Sequence, residues 1–440
     1  MHFGVYWVAT KGMLDTVSYV CRLVGMSSSN KNDNIIEVEA LIVGGGLVGL
    51  TLGITLANVG LPVVIIDRVN PQTTIAPEFD GRATAIANGS ARVLKGIGLW
   101  EAIDSYVCPI NDIRVSDGDS MLFLHYDHRE IGNEPLGYVI ENRDLRLALL
   151  ERLYSLDNLT MLAPTDVSSI TRNSSGVSTL TSDGITIRSR VLLACDGRNS
   201  VLREEAGIGV TRWSYKQTSI VCSVFHDLPH NNIAHERFLP GGPFAILPMK
   251  DLTNRYRSAV VWTDSNKLMP GIISLDDESF VSELMIRFGD ILGALELAGP
   301  RWSHPLGLSH AKKYVDCRFA LVGDAAHAIH PIAGQGLNMG IRDIAALAEV
   351  LIDARRLGLD IGSPNILGEY ERWRIFDNLL LAFVTDAMNR LFSNKIPPIR
   401  AIRDVGLGAV NKIAPLRRDF MRHATGTMGD LPRLVRGKPL

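Results

Sequence analysis

The sequence predicts an α/β fold in which a parallel sheet, begun by a βαβ unit, is interrupted by an antiparallel sheet and followed by C-terminal helices. Three observations predict it. Residues 37–67 read as strand, glycine turn, helix and strand: EVEALIVGGG, then LVGLTLGITLANVG, then LPVVIID. From about Thr211 to Leu308, short alternating or aromatic runs such as TSIVCSVF, FAILP and YRSAVVWT read as an antiparallel sheet. After Gly368, EYERWRIFDNLLLAFVTDAMNRLFSN places apolar residues at helical spacing.

The 440-residue length calls for more than one small core. A composition of 46% hydrophobic and 21% charged residues is that of a soluble globular chain. The formal net charge of -2 supplies no overall basic field, so no nucleic-acid partner is expected. The five cysteines have no paired spacing, which argues for a reducing compartment and against a metal site. No apolar run is long enough to span a membrane, and the opening segment is a poor signal peptide. MSSSNKNDN, at Met26 to Asn34, reads as part of a flexible tail, with Met26 a candidate true start.

Taken in order, ALIV feeds into Gly44, a helix follows, and a second β-rich run ends at Asp67. Glu141 to Leu153 (ENRDLRLALLERL) is a helical pattern, and RSRVLLACDG is a buried strand entering a turn. Parallel-sheet character returns at Tyr314, and Pro397-Pro398 ends the last long helix. The expected division is a tail over 1–35; a Rossmann-like dinucleotide domain over 36–107, 138–208 and 312–370; a substrate domain over 108–137 and 209–311; and C-terminal helices over 371–440.

GGGLVG supplies Gly44, Gly46 and Gly49 in G-x-G-x-x-G spacing, for a tight turn, a close approach to a pyrophosphate and close helix packing. The helix start offers free N–H groups to phosphates. Asp67, 23 residues after Gly44, can accept hydrogen bonds from a ribose. This pattern alone leaves FAD and NAD open. CDGRNSVLR places Asp196 after a strand, although Asp-Gly and Ser are also ordinary turn and cap residues. In FALVGDAAHAIHPIAGQGLNMGIRD, a strand ends at Gly323-Asp324, where a carboxylate can bind a sugar-alcohol chain. Gly334 and Gly336 then permit close approach to a helix start near Leu337 that can hold the negative charge of a reduced flavin.

These three motifs, in this order from about Ile36 to Asp343, resemble the aromatic-hydroxylase class of flavoprotein monooxygenases. EFDGRATAIANGSARVL, GYVIENRDLRLALL, ERFLPGGPFAILP and HPIAGQGLNMGIRD are similar to one branch, the ubiquinone-biosynthesis hydroxylases. The resemblance implies FAD as cofactor, NAD(P)H or a protein donor as reductant, and O2 adding at the flavin C4a to give a hydroperoxide that hydroxylates a polyprenylated phenol. It places Arg82 and Arg143 against the flavin or its pyrophosphate, counts Asp67, Arg68, Asp196 and Asp324 among the cofactor-binding residues, and sets the Val167 backbone near the adenine. It sets the N–H groups of Leu337 and Asn338 at the flavin ring, with Pro331, Gly334, Gln335 and Gly336 along its face. Phe244 and Leu247, in the GGPFAILP strand, are the expected substrate-pocket residues.

His327 and His330 have no carboxylate or cysteine partner at ligand spacing and read as packed, hydrogen-bonded histidines rather than a catalytic base, and His304 and His310 as surface or loop residues. The apolar positions of 379–392 read as ordinary core rather than as a lipid channel. From Lys395 onward ten basic residues face three acidic ones, which suggests a cytoplasmic protein held at the inner membrane face, in an assembly there, or simply a solvated basic surface. The rival readings are a hydroxylase of a small soluble aromatic, a halogenase or reductase (though the WxWxIP signature is missing), and a flavin-binding assembly subunit without turnover.

Overall fold

The computed structural model describes residues 34–76, 78–118, 123–330, 332–392 and 410–440. The tail before Asn34, Pro331 and the Pro397-Pro398 break lie outside them.

The βαβ unit forms as expected. Strands Ala40–Val43 and Val63–Ile66 pair in parallel, with helix Leu47–Ala57 between them. Val191–Ala194 and Phe319–Leu321 extend the sheet on one side and Leu159–Leu162 on the other, all in parallel. The antiparallel edge strand Val315–Asp316 completes a six-stranded sheet. Its central strands are almost wholly buried, because helices cover both faces of such a sheet. Helix Leu47–Ala57 is buried at every position from Gly49 onward, lying between the sheet and helices Asn142–Tyr154 and Gln335–Arg356.

Among the described residues the antiparallel sheet has nine strands. Its long strands are Val210–His226, Gly242–Leu252, Arg255–Ser265 and Trp302–Ala311. Ile233–Leu239 joins it in parallel to Asp112–Asp117, a strand more than a hundred residues earlier in the chain. His327–Ala328, inside the Gly323-Asp324 motif, pairs with its opposite edge. The motif therefore belongs to both sheets at once.

The C-terminal helix runs over Pro364–Phe392, starting earlier than the sequence suggested, and Ala414–Ala424 is a second helix. Among the described residues, no helix is long and apolar enough to cross a membrane, and no group of histidine, cysteine and acidic side chains is placed to hold a metal.

Candidate active site

One cavity of about 1530 Å³ links the glycine turn, the Asp324 segment, the antiparallel sheet and helices Pro364–Phe392 and Ala414–Ala424. A pocket for one small molecule is typically about 300–1,000 Å³, so this cavity has room for a dinucleotide and a second ligand.

At one end lies the glycine turn. Gly44 has φ +108, and a Cβ there would collide with the Cys195 carbonyl, so the turn needs glycine. Gly46 caps the following helix with ordinary dihedrals, and the space where its side chain would be is open. Neither helix Leu47–Ala57 nor helix Gln335–Arg356 has an acidic residue in its first turn, leaving both positive ends free for an anion. Asp67 accepts from Gly45 N at 2.5 Å and Val69 N at 2.7 Å, bracing the turn from behind. Arg68 is exposed beside it, and half-buried Val167 begins the strand Val167–Arg172.

Asp324 stands exposed in the cavity wall. Its turn is held from two sides. Gly323 N donates to Asp343 Oδ2 at 3.2 Å, and the Arg203 guanidinium donates to Ala325 O at 2.8 Å. Asp196 caps the next turn by accepting from Leu202 N, and Ser200 caps the short helix Val201–Glu205, so both act here as turn residues.

Gly334, Gln335, Gly336 and Leu337 line the cavity together. Gly334 adopts φ +61, and a Cβ at Gly336 would meet nothing within 4 Å. The Asn338 side chain is not free for a ligand. It accepts from Ala87 N and donates to Ala85 O, both at 2.8 Å, pinning the helix start to strand Ala83–Ala87.

The two arginines expected at the cofactor lie in different surroundings. Arg82 lines the cavity, held bidentately by Asp80 at 2.8 Å for each contact. Arg143 is exposed, donates to Ile75 O and lies off the cavity wall. Arg146, one turn on, is buried and lines the cavity. The periodicity of NRDLRLALL explains this, since Asn142, Leu145, Arg146 and Leu149 share the inward face. Asp80 also accepts from Asn142 and lies 3.5 Å from Arg146. Burial works to raise its carboxyl, but Arg82 and Asn142 outweigh burial and hold it well below the usual carboxylate range.

Leu247 lines the cavity, but Phe244 does not. Phe244 packs against Trp262 and Phe288 in a core on the opposite face of the sheet, because an odd offset along a strand reverses the side chain. His327 is packed and hydrogen-bonded as expected, with Asp343 as its partner, and both are buried. Two other readings change. His304 and His310 sit on strand Trp302–Ala311, where His304 lines the cavity and His310 is buried against the Tyr314 hydroxyl. Leu380, Leu381, Val384, Met388 and Leu391 are cavity wall rather than ordinary core. His330 is packed edge-on against Tyr215, and neither of its ring nitrogens has a partner among the described residues.

A parallel sheet with a glycine cradle, joined through one cavity to an antiparallel sheet, defines an FAD-binding flavoprotein of the monooxygenase class, and residues 37–374 match the family described as FAD binding domain. The chain is 51% identical over 405 residues to ubiquinone hydroxylase UbiL of Rhodospirillum rubrum, covering 91% of this chain and 93% of that protein. It is 34% identical over 392 residues to the 3-demethoxyubiquinol 3-hydroxylase of Escherichia coli, covering 88% and 98%. The crystal structure of p-nitrophenol 4-monooxygenase PnpA from Pseudomonas putida aligns with a TM-score of 0.74 over 90% of this chain and 99% of that one, at 21% identity, a likeness of fold. The chain belongs to the FAD-dependent hydroxylases of ubiquinone biosynthesis.

FAD is the cofactor, and the residues present fit it. The open space at Gly46 and the free helix start suit a pyrophosphate, and Arg82, Arg146 and Arg198 bring positive charge to the same cavity. Asp324 offers an unengaged carboxylate edge to a ribityl chain, and the space at Gly336 admits a flat ring against the second helix start.

Proposed function

We propose that this protein is an FAD-dependent monooxygenase that hydroxylates the aromatic ring of a polyprenylated phenol in ubiquinone biosynthesis, with NAD(P)H as reductant. The observation that carries this reading is the continuity of the cavity. It runs from the glycine cradle, over the antiparallel sheet, to a gap lined by Leu380, Val384, Met388, Leu416, Phe420 and Met428 between the two C-terminal helices. An apolar passage of this kind suits an isoprenoid tail and has no use for a small soluble phenol.

FAD, when bound, would supply the redox and oxygen chemistry of the hydroxylation. The chain's own residues bind, orient and exclude water. Gly46 and the N–H groups of the first turn would hold the phosphates, Asp324 the ribityl chain, and the helix start at Gln335 to Asn338 the pyrimidine end. The floor of Val115, Ala245, Leu247 and Val261 keeps the ring in an apolar, water-poor space.

We further propose that the gap between the C-terminal helices faces a membrane surface, cytoplasmic in orientation, or an assembly at that surface. Phe376 and Phe383 are 69% and 70% exposed, and Ile413 and Phe420 are also exposed. Arg418 and Arg422 stand on the helix next to this patch, and anionic lipid attracts such basic residues. Turnover of a prenylated phenol compared with its unprenylated parent tests the substrate reading. Preference for the prenylated compound supports it, and turnover of the soluble phenol alone rejects it.

A further inference from the structure

The cavity contains a carboxyl group that the cofactor cradle does not use. Strand register sets Val115, Glu236, Ala245, Val261 and Val221 side by side across five strands of the antiparallel sheet. Side chains in one such row share a face, and all five line the cavity. The row two residues away contains Ile113 paired with Ala234. The row on the other side brings Ser219 and Thr263 together, hydrogen-bonded to each other. Glu236 is thus an acid set in the middle of an apolar floor.

Its side chain makes no hydrogen bond or ion pair with another described residue. An unpartnered carboxyl set against apolar surface is costly to ionise, and folds keep such groups where function uses them. An apolar residue here would continue the floor without that cost. What the position gains is a proton acceptor turned toward the cavity space over the antiparallel sheet.

The ionisable neighbours do not take up this role or neutralise the group. Tyr126 and His235 share the cavity wall with Glu236. The Tyr126 hydroxyl is pushed up to about 12 by burial, and His235 is brought down to about 4 by burial and by repulsion from Arg114 and Arg237. Arg82, Arg146, Arg198, Asp324 and His304 line the cofactor end, and Asp419 and His423 the helical end. None of them is paired with Glu236. Burial alone raises its carboxyl, to about 7, so near neutral pH the group is divided between its acid and base forms.

We infer that Glu236 is a catalytic base, its carboxylate receiving the proton of the substrate's phenolic hydroxyl. The assignment rests on the proposed reading of the substrate as a phenol. In this step the O–H bond breaks, its electron pair stays on the phenolic oxygen, and the proton is left on the Glu236 carboxyl. No electrons pass to or from any other group. The phenolate pushes electron density onto the ring positions ortho and para to its oxygen, where an electrophilic oxygen adds.

The test uses the full-length, FAD-loaded protein, chemically reduced and exposed to O2 in a single turnover with a 2-prenylphenol carrying one isoprene unit. Glu236→Gln is expected to slow ring hydroxylation about 10²–10⁴-fold. It is also expected to abolish the rise in rate as pH increases through about 7, while FAD binding and flavin reduction stay unchanged. Glu236→Asp retains the pH-dependent rise. A Glu236→Gln protein with the wild-type rate and pH profile overturns the inference.

If Glu236→Gln does not fold or does not hold FAD, the wild-type protein decides. Binding of the prenylphenol and of its O-methyl ether is followed by flavin fluorescence. The phenol is expected to bind about tenfold or more tightly than the ether at a pH about one unit above 7, with a smaller preference about one unit below. Equal affinities at both pH values overturn the inference. Wild-type protein that hydroxylates no phenol removes the proposed function instead, and the phenol-to-ether comparison still reports on Glu236.

Discussion

His327 Nε2 lies 2.5 Å from Asp343 Oδ2, both side chains sealed beneath the turn that carries Asp324. The same carboxylate accepts from Gly323 N, Arg374 Nε and Asn378 Nδ2. Four donors from the cofactor turn and the C-terminal helix therefore meet on one acid. Burial pushes the Asp343 carboxyl up, but His327, Arg374 and Asn378 together hold it well below the usual carboxylate range.

Asp343→Asn is expected to lower stability by about 3–5 kcal/mol, because it leaves buried Arg374 without this partner. Denaturant unfolding measures the loss. A depressed carboxyl contributes stability above its unfolded pKa and loses that contribution as pH falls. The gap between wild type and variant should thus hold above about pH 5 and narrow below about pH 4.

Asp80 orients two of the three cavity arginines of the cofactor end, Arg82 and Arg146, and also Asn142. Asp80→Ala frees these side chains. FAD affinity is expected to fall about 10–100-fold, the effect of losing one or two charge-assisted hydrogen bonds. Flavin fluorescence titration measures it, and unchanged affinity would separate these arginines from cofactor binding.

Gly46→Val separates folding from binding. With φ −72 at Gly46 and nothing within 4 Å of an added Cβ, the protein itself accommodates the side chain. Thermal stability without cofactor is expected to change by less than about 1 kcal/mol, while FAD binding is lost. Gly44→Ala behaves differently, because its positive φ and the Cys195 carbonyl make the substitution destabilising in the absence of any cofactor.

Val384 lines the gap at the helical end of the cavity. Val384→Trp narrows it. Turnover of a long-tailed phenol is expected to fall more than about tenfold, because each buried methylene contributes about 0.8 kcal/mol. Turnover of a one-isoprene analogue is expected to change little. Equal losses for both would place the tail elsewhere.

Phe376 and Phe383 are exposed on the same helix. Replacing both by Asp is expected to leave stability within about 0.5 kcal/mol and to reduce binding to anionic vesicles about tenfold or more. Sedimentation with vesicles measures this.

The βαβ unit, the antiparallel sheet and the glycine cradle were legible in the sequence because each is a local pattern: a period, a turn residue, a run of apolar strand. What was not legible depends on parity and distance. The choice between Phe244 and its neighbours turns on which strand face meets the cavity, and only the register with Trp262 decides it. Arg146 could have been preferred to Arg143 by following the helical period from Leu145 to Leu149. The His327–Asp343 pair spans 16 residues through a turn and a helix, and no ligand-type spacing announces it. Glu236 was visible only as part of a motif, since its lack of a partner is a property of the assembled sheet.

The most direct test of the central claim is a single turnover with isotopically labelled oxygen gas. FAD-loaded protein is reduced chemically, mixed with a prenylated phenol and labelled O2, and the product is analysed by mass. The account predicts a ring-hydroxylated phenol carrying one labelled oxygen atom. Reoxidation of the flavin with hydrogen peroxide as the sole product, and no label in the ring, would contradict it.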